Sequence, residues 1–205
     1  MIQSQDRSNY IGASDTSMVV GNWETKTFEK WWLEKIGLSR NNLSTEAMKA
    51  GNNYEHKILE ALEIEDLEMD KQIIKDRLRV NLDGNTSTCI YEVKTHNIDK
   101  EFKVSKQYWR QAQVEMYAIG IHDLYIIAYA LKEEDYKNYF NDIDKRRIQK
   151  IKVDYDENFI NCEYLPRLKI LMECLKSGTF PRKKGKINET KFTDCRKYKN
   201  FCKRN

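Results

Sequence analysis

The amino-acid sequence predicts an α/β fold, with helices packed on a central mixed β-sheet. Three observations carry the prediction. Residues 78–84 and 89–95 are two apolar, β-branched runs joined through Asp83, Gly84, Asn85 and Ser87, which is how two strands and their loop read. Residues 105–120 place Tyr108, Ala112, Glu115/Met116 and Ile119 at helical spacing before Gly120, and the run 124–131 that follows is apolar throughout, as a buried strand is. Helical patterns precede and follow these segments. The resulting order of helices, strands, helix, strands and helix is that of an α/β sandwich.

Taken in chain order, residues 7–15 form a loop, and Ser14 or Asp15 caps a short helix over 16–20 that Gly21 and Asn22 stop. Arg7 ahead of a helix N-terminus is a candidate phosphate site, since free backbone N–H groups and a guanidinium converge there. An ordinary capped helix with a surface arginine fits the same residues. A second helix over 27–36 ends at Gly37. Its Phe28, Trp31, Trp32 and Ile36 put at least one indole in the core and leave the other as a candidate for stacking on a base. The third helix runs from a Ser44/Thr45 cap to about residue 63, with Ala47, Ala50, Tyr54, Ile58 and Leu62 as its buried stripe. Glu55 lies off that stripe or at its edge. Gln111 and Gln113 of the fourth helix stand about 200° apart, at roughly 100° per residue, so they serve different ends. Residues 148–155 read as a half-exposed strand. Asp156 then opens a long helix toward Gly178, with Pro166 marking a break or kink.

The chain has 205 residues, 40% hydrophobic and 33% charged, which suits a single domain with a full-sized core. No apolar run reaches membrane-spanning length, and residues 1–6 lack the basic and apolar blocks of a signal peptide. Five cysteines without framework spacing point to a reducing compartment. The expected location is therefore the cytoplasm. Residues 182–205 hold ten Lys or Arg against Glu189 and Asp194, a balance of +8, which leaves −4 for the rest of a chain whose total is +4. The division is thus a domain over 1–180 and a basic tail over 181–205. Such a tail suits either local contact with a polyanion or simple solubility.

The paired strands carry the chemistry. Glu92 and Lys94 share one face of their strand, Tyr91 and Val93 the other, and a hairpin brings Asp83 beside Glu92. Two carboxylates and an ammonium then converge, a donor set that suits a hard cation such as Mg²⁺ or Mn²⁺. Glu-x-Lys by itself is weak: it recurs at Glu24/Lys26, Glu55/Lys57, Glu101/Lys103 and Glu189/Lys191. Only the Glu92 copy sits in an apolar run nine positions after an Asp that closes another. A solvated hairpin face with an ordinary Glu/Lys pair is the alternative for the hairpin alone.

Five segments in order resemble the lambda-type phage exonucleases, the YqaJ-like viral recombinase family of the PD-(D/E)xK nuclease superfamily. They are Arg7 with Ile11-Gly12-Ala13-Ser14-Asp15, Ala50-Gly51-x-x-x-Glu55, Asn81-x-Asp83-Gly84, Glu92-Val93-Lys94, and Tyr108-x-x-Gln111-x-Gln113-x-x-Met116. The resemblance implies a restriction-endonuclease-like core. It implies that Asp83, Glu92 and the Val93 carbonyl hold Mg²⁺, with Mn²⁺ able to substitute. Lys94 would orient or activate the attacking water, and Glu55 would join from the third helix. Gln113 would match the glutamine beside the active site, Gln111 its less essential neighbour. Arg7, Ser14 and Asn81 would take the 5′-phosphate of the strand being degraded. Leu82 stands where the family often has Pro, at a position whose side chain makes no metal bond.

The implied activity is 5′→3′ degradation of linear double-stranded DNA, leaving 3′ single-stranded tails for a phage-type annealing partner. A trimeric ring around the duplex is implied with it. An endonuclease or opposite-polarity nuclease on this scaffold, or a non-catalytic DNA-binding or inhibitory protein, are the other readings. Cys195 and Cys202, with Cys174 upstream, lack the close Cys-x-x-Cys pair of an iron–sulfur site, which argues against a cluster.

Overall fold

A computed structural model describes residues 8–39 and 45–181. Its helices are α1 (Thr16–Val19), α2 (Lys26–Lys35), α3 (Glu46–Ala61), α4 (Lys106–Ile119) and α5 (Leu165–Ser177). Its strands are β1 (Glu68–Lys75), β2 (Leu78–Asn85), β3 (Ile90–Asn97), β4 (Leu124–Leu131) and β5 (Ile148–Val153). The five strands form one mixed sheet in the order β1-β2-β3-β4-β5. All neighbours are antiparallel except β3 and β4, which run parallel because α4 carries the chain back across the sheet. No helix among the described residues is long and apolar enough to cross a membrane.

Strand alternation divides the core in two. Val80, Leu82, Ile90, Leu124 and Ile126 pack with Phe28, Trp31 and Trp32 of α2, Ala112 and Met116 of α4, and Leu168, Leu171 and Leu175 of α5. Tyr91, Val93, Ile127 and Tyr129 face the other way, onto Ala50, Tyr54, Ile58 and Leu59 of α3. Ala47 is exposed and Leu62 only half-buried, so the buried stripe of α3 is shorter than its periodicity suggests. Both indoles of α2 are core, which removes the base-stacking alternative. Trp31 Nε1 donates to Asp15 Oδ1 at 2.9 Å, and Trp32 Nε1 donates to the Thr179 carbonyl at 3.0 Å.

Several elements differ from the sequence reading. β1 was not foreseen, because its exposed edge carries mixed polar residues with no clean alternation. α1 is a single turn after a 3-10 turn over Ala13–Asp15; Asp15 stands at its N-cap position, but its side chain makes no capping bond there. The Asp15 carboxylate instead accepts from the Gly12 amide (2.7 Å) and pairs with Lys35 (2.6 Å), which fastens the N-terminal turn to α2. The long C-terminal helix has a π-helical stretch over Phe159–Tyr164 before Pro166. A proline ring crowds the carbonyl four residues back, and a widened turn relieves that clash. Arg7 and the tail over 182–205, with Cys195 and Cys202, lie outside the described residues.

The feature that positions the site is the seam between β2 and β3. Their ladder consists of Gly84↔Tyr91 and Asn85↔Ile90 only. At the far end of β2 the place of β3 is taken by Ile11, which bridges Leu78 through Ile11 N to Arg77 O (2.7 Å) and Arg79 N to Ile11 O (2.9 Å). Between these ends the two strands part, and Asp83 stands where they begin to do so.

Candidate active site

Asp83 Oδ2 accepts the Val93 amide at 2.8 Å. A side chain therefore closes the gap where a ladder bond would otherwise lie. N–H and C=O of a paired strand residue point to the same edge, so the Val93 carbonyl faces the same seam. Glu92, on the α4 face, is 3% exposed. Its Oε1 accepts from Lys94 Nζ and from Gln111 Nε2, each at 2.5 Å. Its Oε2 is buried with no hydrogen-bond donor. Lys94 lies 5.2 Å from the centre of the Tyr108 ring, and Tyr108 stacks on Phe102. The ammonium is thus backed by an aromatic face. Opposite Lys94 on β4 the register places Ala128, whose short side chain leaves room for the lysine.

Glu55 reaches the site from the other side of the sheet. One turn earlier on α3, a Cβ at Gly51 would come within 3.3 Å of Thr95 Oγ1 on β3. The absence of that carbon lets the helix approach the strand, and this is the physical content of the Gly51-x-x-x-Glu55 spacing. Around Glu55 stand His56 and Asp70, whose ligating atoms and that of Glu55 all lie within 4.8 Å of one another; His56 Nε2 meets Asp70 Oδ2 at 3.0 Å. Asp70 has left-handed backbone (φ 60°) and falls in register opposite Asp83, between Met69↔Gly84 and Lys71↔Leu82.

These carboxylates share one electrostatic field. Burial, then the Glu92 and Glu55 charges, hold Asp83 well above the usual carboxylate range. Burial and Glu92 push Glu55 up as well. Burial and Glu92 likewise hold Glu115, one turn after Gln111, well above its ordinary value. Burial alone would depress Lys94, yet Glu92 and Asp83 overcome it and raise the ammonium's pKa. Fully ionised, four acids around one ammonium would carry an excess of negative charge in a poorly hydrated place, and the raised pKa values express the cost of that state. A divalent cation would offset that charge, and Glu92 Oε2, which no donor reaches, is of the oxygen type that such a cation takes.

The structure thus brings together Asp83, Glu92, Lys94, the Val93 backbone and Glu55. Gln113 is not with them. It is fully buried, its Nε2 donating to the Asp154 carbonyl (2.9 Å) and its Oε1 accepting from the Asp156 amide (2.6 Å), where it ties α4 to the end of β5. Gln111 makes the contact with Glu92, reversing the expected ranking of the pair. Ser14 is exposed on the turn that follows Ile11. Asn81, half-buried midway along the open part of β2, accepts from Gln72 at 3.0 Å. Glu115, His56 and Asp70 were missed. Glu115 lies at i+4 from Gln111, a spacing that shares a helix face, and that signal was available in the sequence.

A five-stranded mixed sheet with helices on both faces and an acidic, lysine-bearing site at a parted strand pair places the chain in the PD-(D/E)xK-like class of folds. Solved structures of the same fold include an alkaline exonuclease (LHK-Exo) from Laribacter hongkongensis, at 15% identity and TM-score 0.64 over 96% of this chain and 94% of that one. The same LHK-Exo in complex with dAMP aligns at 17% identity and TM-score 0.61, over 83% and 92%. A phage related exonuclease from Haemophilus somnus 129PT aligns at 13% identity and TM-score 0.61, over 82% and 92%. The chain belongs to the YqaJ-like viral recombinase domain family, whose model matches residues 4–122. No curated protein sequence matches it.

Proposed function

We propose that this protein is a Mg²⁺-dependent DNA exonuclease that degrades linear duplex 5′→3′ and leaves 3′ single-stranded tails for recombination. The observation that carries the reading is the convergence of Asp83, Glu92 and Lys94 at the parted seam, where Asp83 accepts the Val93 amide and Glu92 pairs with Lys94. Membership of the recombinase family supports DNA as the substrate, and the fold shared with exonucleases is consistent with it.

Asp83, Glu92 and the Val93 carbonyl would hold the cation, with Glu55 beside them. Bound there, a divalent ion supplies neutralisation of phosphate charge and a more acidic water. The chain's own residues supply the rest. Lys94, kept protonated by its carboxylate neighbours, offers positive charge to a phosphoryl oxygen and orients the attacking water instead of accepting its proton. Gln111 and Lys94 together pin Glu92 Oε1. Arg7, Ser14 and Asn81 would receive the terminal 5′-phosphate. A ring of copies around the duplex, an annealing partner and a cytoplasmic site of action complete the reading.

The test is digestion of linear duplex, with and without 5′-phosphate, and of closed circular duplex, in Mg²⁺ and in chelator. Wild type is expected to shorten only the linear forms, the 5′-phosphorylated one faster, and only with metal. Asp83→Ala, Glu92→Ala and Lys94→Ala should each abolish cleavage with unchanged melting behaviour. Wild-type rates from purified Asp83→Ala would sink the metal assignment, and efficient cutting of closed circles would point to an endonuclease.

A further inference from the structure

Gln111 precedes Glu115 by one turn of α4, and its amide nitrogen donates to both Glu92 Oε1 (2.5 Å) and Glu115 Oε1 (2.8 Å). Carboxylate oxygens accept, and only the nitrogen end of an amide donates. Two carboxylates on one side therefore fix which end of Gln111 points inward. With Lys94 also on Glu92 Oε1, that oxygen is fully engaged and Oε2 is left bare and buried. Glu115 is itself fully buried, with no donor to its Oε2, and its carboxyl lies within hydrogen-bonding reach of Glu92. A buried acid oxygen without a donor is destabilising. The residue has another use.

Without Glu115, the Gln111 amide is free to turn its oxygen toward the Lys94 ammonium. That would draw Lys94 away from Glu92 and leave the Glu92 carboxylate free to rotate. We propose that Glu115 is a positioning residue for Glu92, acting through the orientation of the Gln111 amide, and that it thereby sets the affinity of the site for a divalent cation. The inference rests on the cation reading above and adds to it a residue outside the Asp83, Glu92 and Lys94 set.

The experiment titrates Mn²⁺ into the full chain, followed by electron paramagnetic resonance, and measures melting in the absence of metal. The proteins are wild type, Asp83→Ala, Glu115→Leu, Glu115→Gln and Gln111→Leu with and without Glu115→Leu. Glu115→Leu is expected to bind Mn²⁺ at least roughly tenfold more weakly, the scale of outer-sphere partners of metal ligands, while its melting temperature holds or rises. Glu115→Gln keeps an acceptor for Gln111 and should restore the affinity. Adding Glu115→Leu to Gln111→Leu should cost nothing further. Unchanged affinity in Glu115→Leu overturns the proposal. So does a loss in Glu115→Gln as large as in Glu115→Leu, or an additive loss in the double variant. Should Glu115→Leu not fold, Glu115→Met fills a similar volume and is judged by the same criteria. If wild type binds no Mn²⁺, or Asp83→Ala binds it equally, the cation reading fails and this inference with it.

Discussion

At the scale of single residues, the site turns on which glutamine of α4 faces it. Gln111 bonds Glu92, while Gln113 bridges Asp154 and Asp156 at the end of β5. The two are predicted to fail differently. Gln111→Leu should lower the cleavage rate roughly ten- to a hundredfold, as loss of an outer-sphere partner does, and leave melting unchanged. Gln113→Leu should remove the partner of two part-buried backbone groups, the Asp154 carbonyl and the Asp156 amide, and destabilise the fold by about 1–3 kcal/mol in all. Parallel measurement of turnover and thermal unfolding on both variants decides this, and a stable but inactive Gln113→Leu would reverse the assignment. The sequence showed that the pair faces opposite ways, since two residues turn a helix by about 200°. It did not show which face meets Glu92, because that depends on how α4 lies across the sheet. Asp83, Glu92 and Lys94 were legible because strand alternation and a short loop suffice to bring them together. Asp70 was not, because its place opposite Asp83 depends on an edge strand with no clean polar/apolar alternation.

At the scale of elements, α3 is held in place by more than its buried stripe. Gly51 lets it touch β3, and its far end grips the connection from β4 to β5. There Tyr54 donates to the Asn138 carbonyl (2.7 Å), and Lys57 donates to the carbonyls of Tyr139 (3.1 Å) and Asn141 (2.7 Å). The same connection is organised around Asp135, which pairs with Arg147 at 2.6 Å and accepts from Asn141 (3.1 Å) and the Lys132 amide (2.9 Å). Burial opposes ionisation of Asp135, but Arg147 and these donors prevail and lower its pKa. A carboxylate depressed in the folded state contributes stability above its unfolded value, and that contribution disappears as pH falls through the folded one. Asp135→Ala should therefore cost about 3–5 kcal/mol at neutral pH, as breaking a buried pair does. The gap to wild type should narrow below the ordinary aspartate range, roughly pH 4. Urea midpoints at pH 7, 5 and 3.5 test it; a gap that stays constant would show that Asp135 is not the titrating group. A second variant probes the helix contact. Gly51→Val would crowd Thr95, shift Glu55 and cut activity more than stability, whereas equal losses in both would mean that the close approach serves only packing. Most of α3, α4 and β4 was legible as pattern. The π-helical stretch before Pro166 was legible only as a break, because a proline signals a conflict without stating how the chain resolves it.

At the scale of the whole molecule, the sheet keeps strand order and chain order identical, leaving β1 and β5 as open edges. Charged residues guard both: Lys71 and Lys75 on β1, and Lys150 and Lys152 on β5. Such edges resist strand addition, so assembly into the proposed ring would use other surfaces. Light scattering should give three times the chain mass, and digestion in the presence of excess competitor DNA should continue on the first molecule engaged. A monomer that digests distributively would refute the ring.

One long-range bond bears on how the protein comes to be made. The Trp32 indole near the start of the chain gives its hydrogen to the carbonyl of Thr179, 147 positions later, and Leu171 and Leu175 of α5 pack into the same cluster. On a ribosome delivering residues from the N-terminus, the sheet and the whole acid–lysine constellation can be finished while the tryptophan face of α2 still waits for its cover. The nascent chain would thus carry the assembled acid–lysine cluster with an uncovered apolar flank until α5 emerges. In that interval, rather than in the native state, the tryptophan face would be open to non-native contacts.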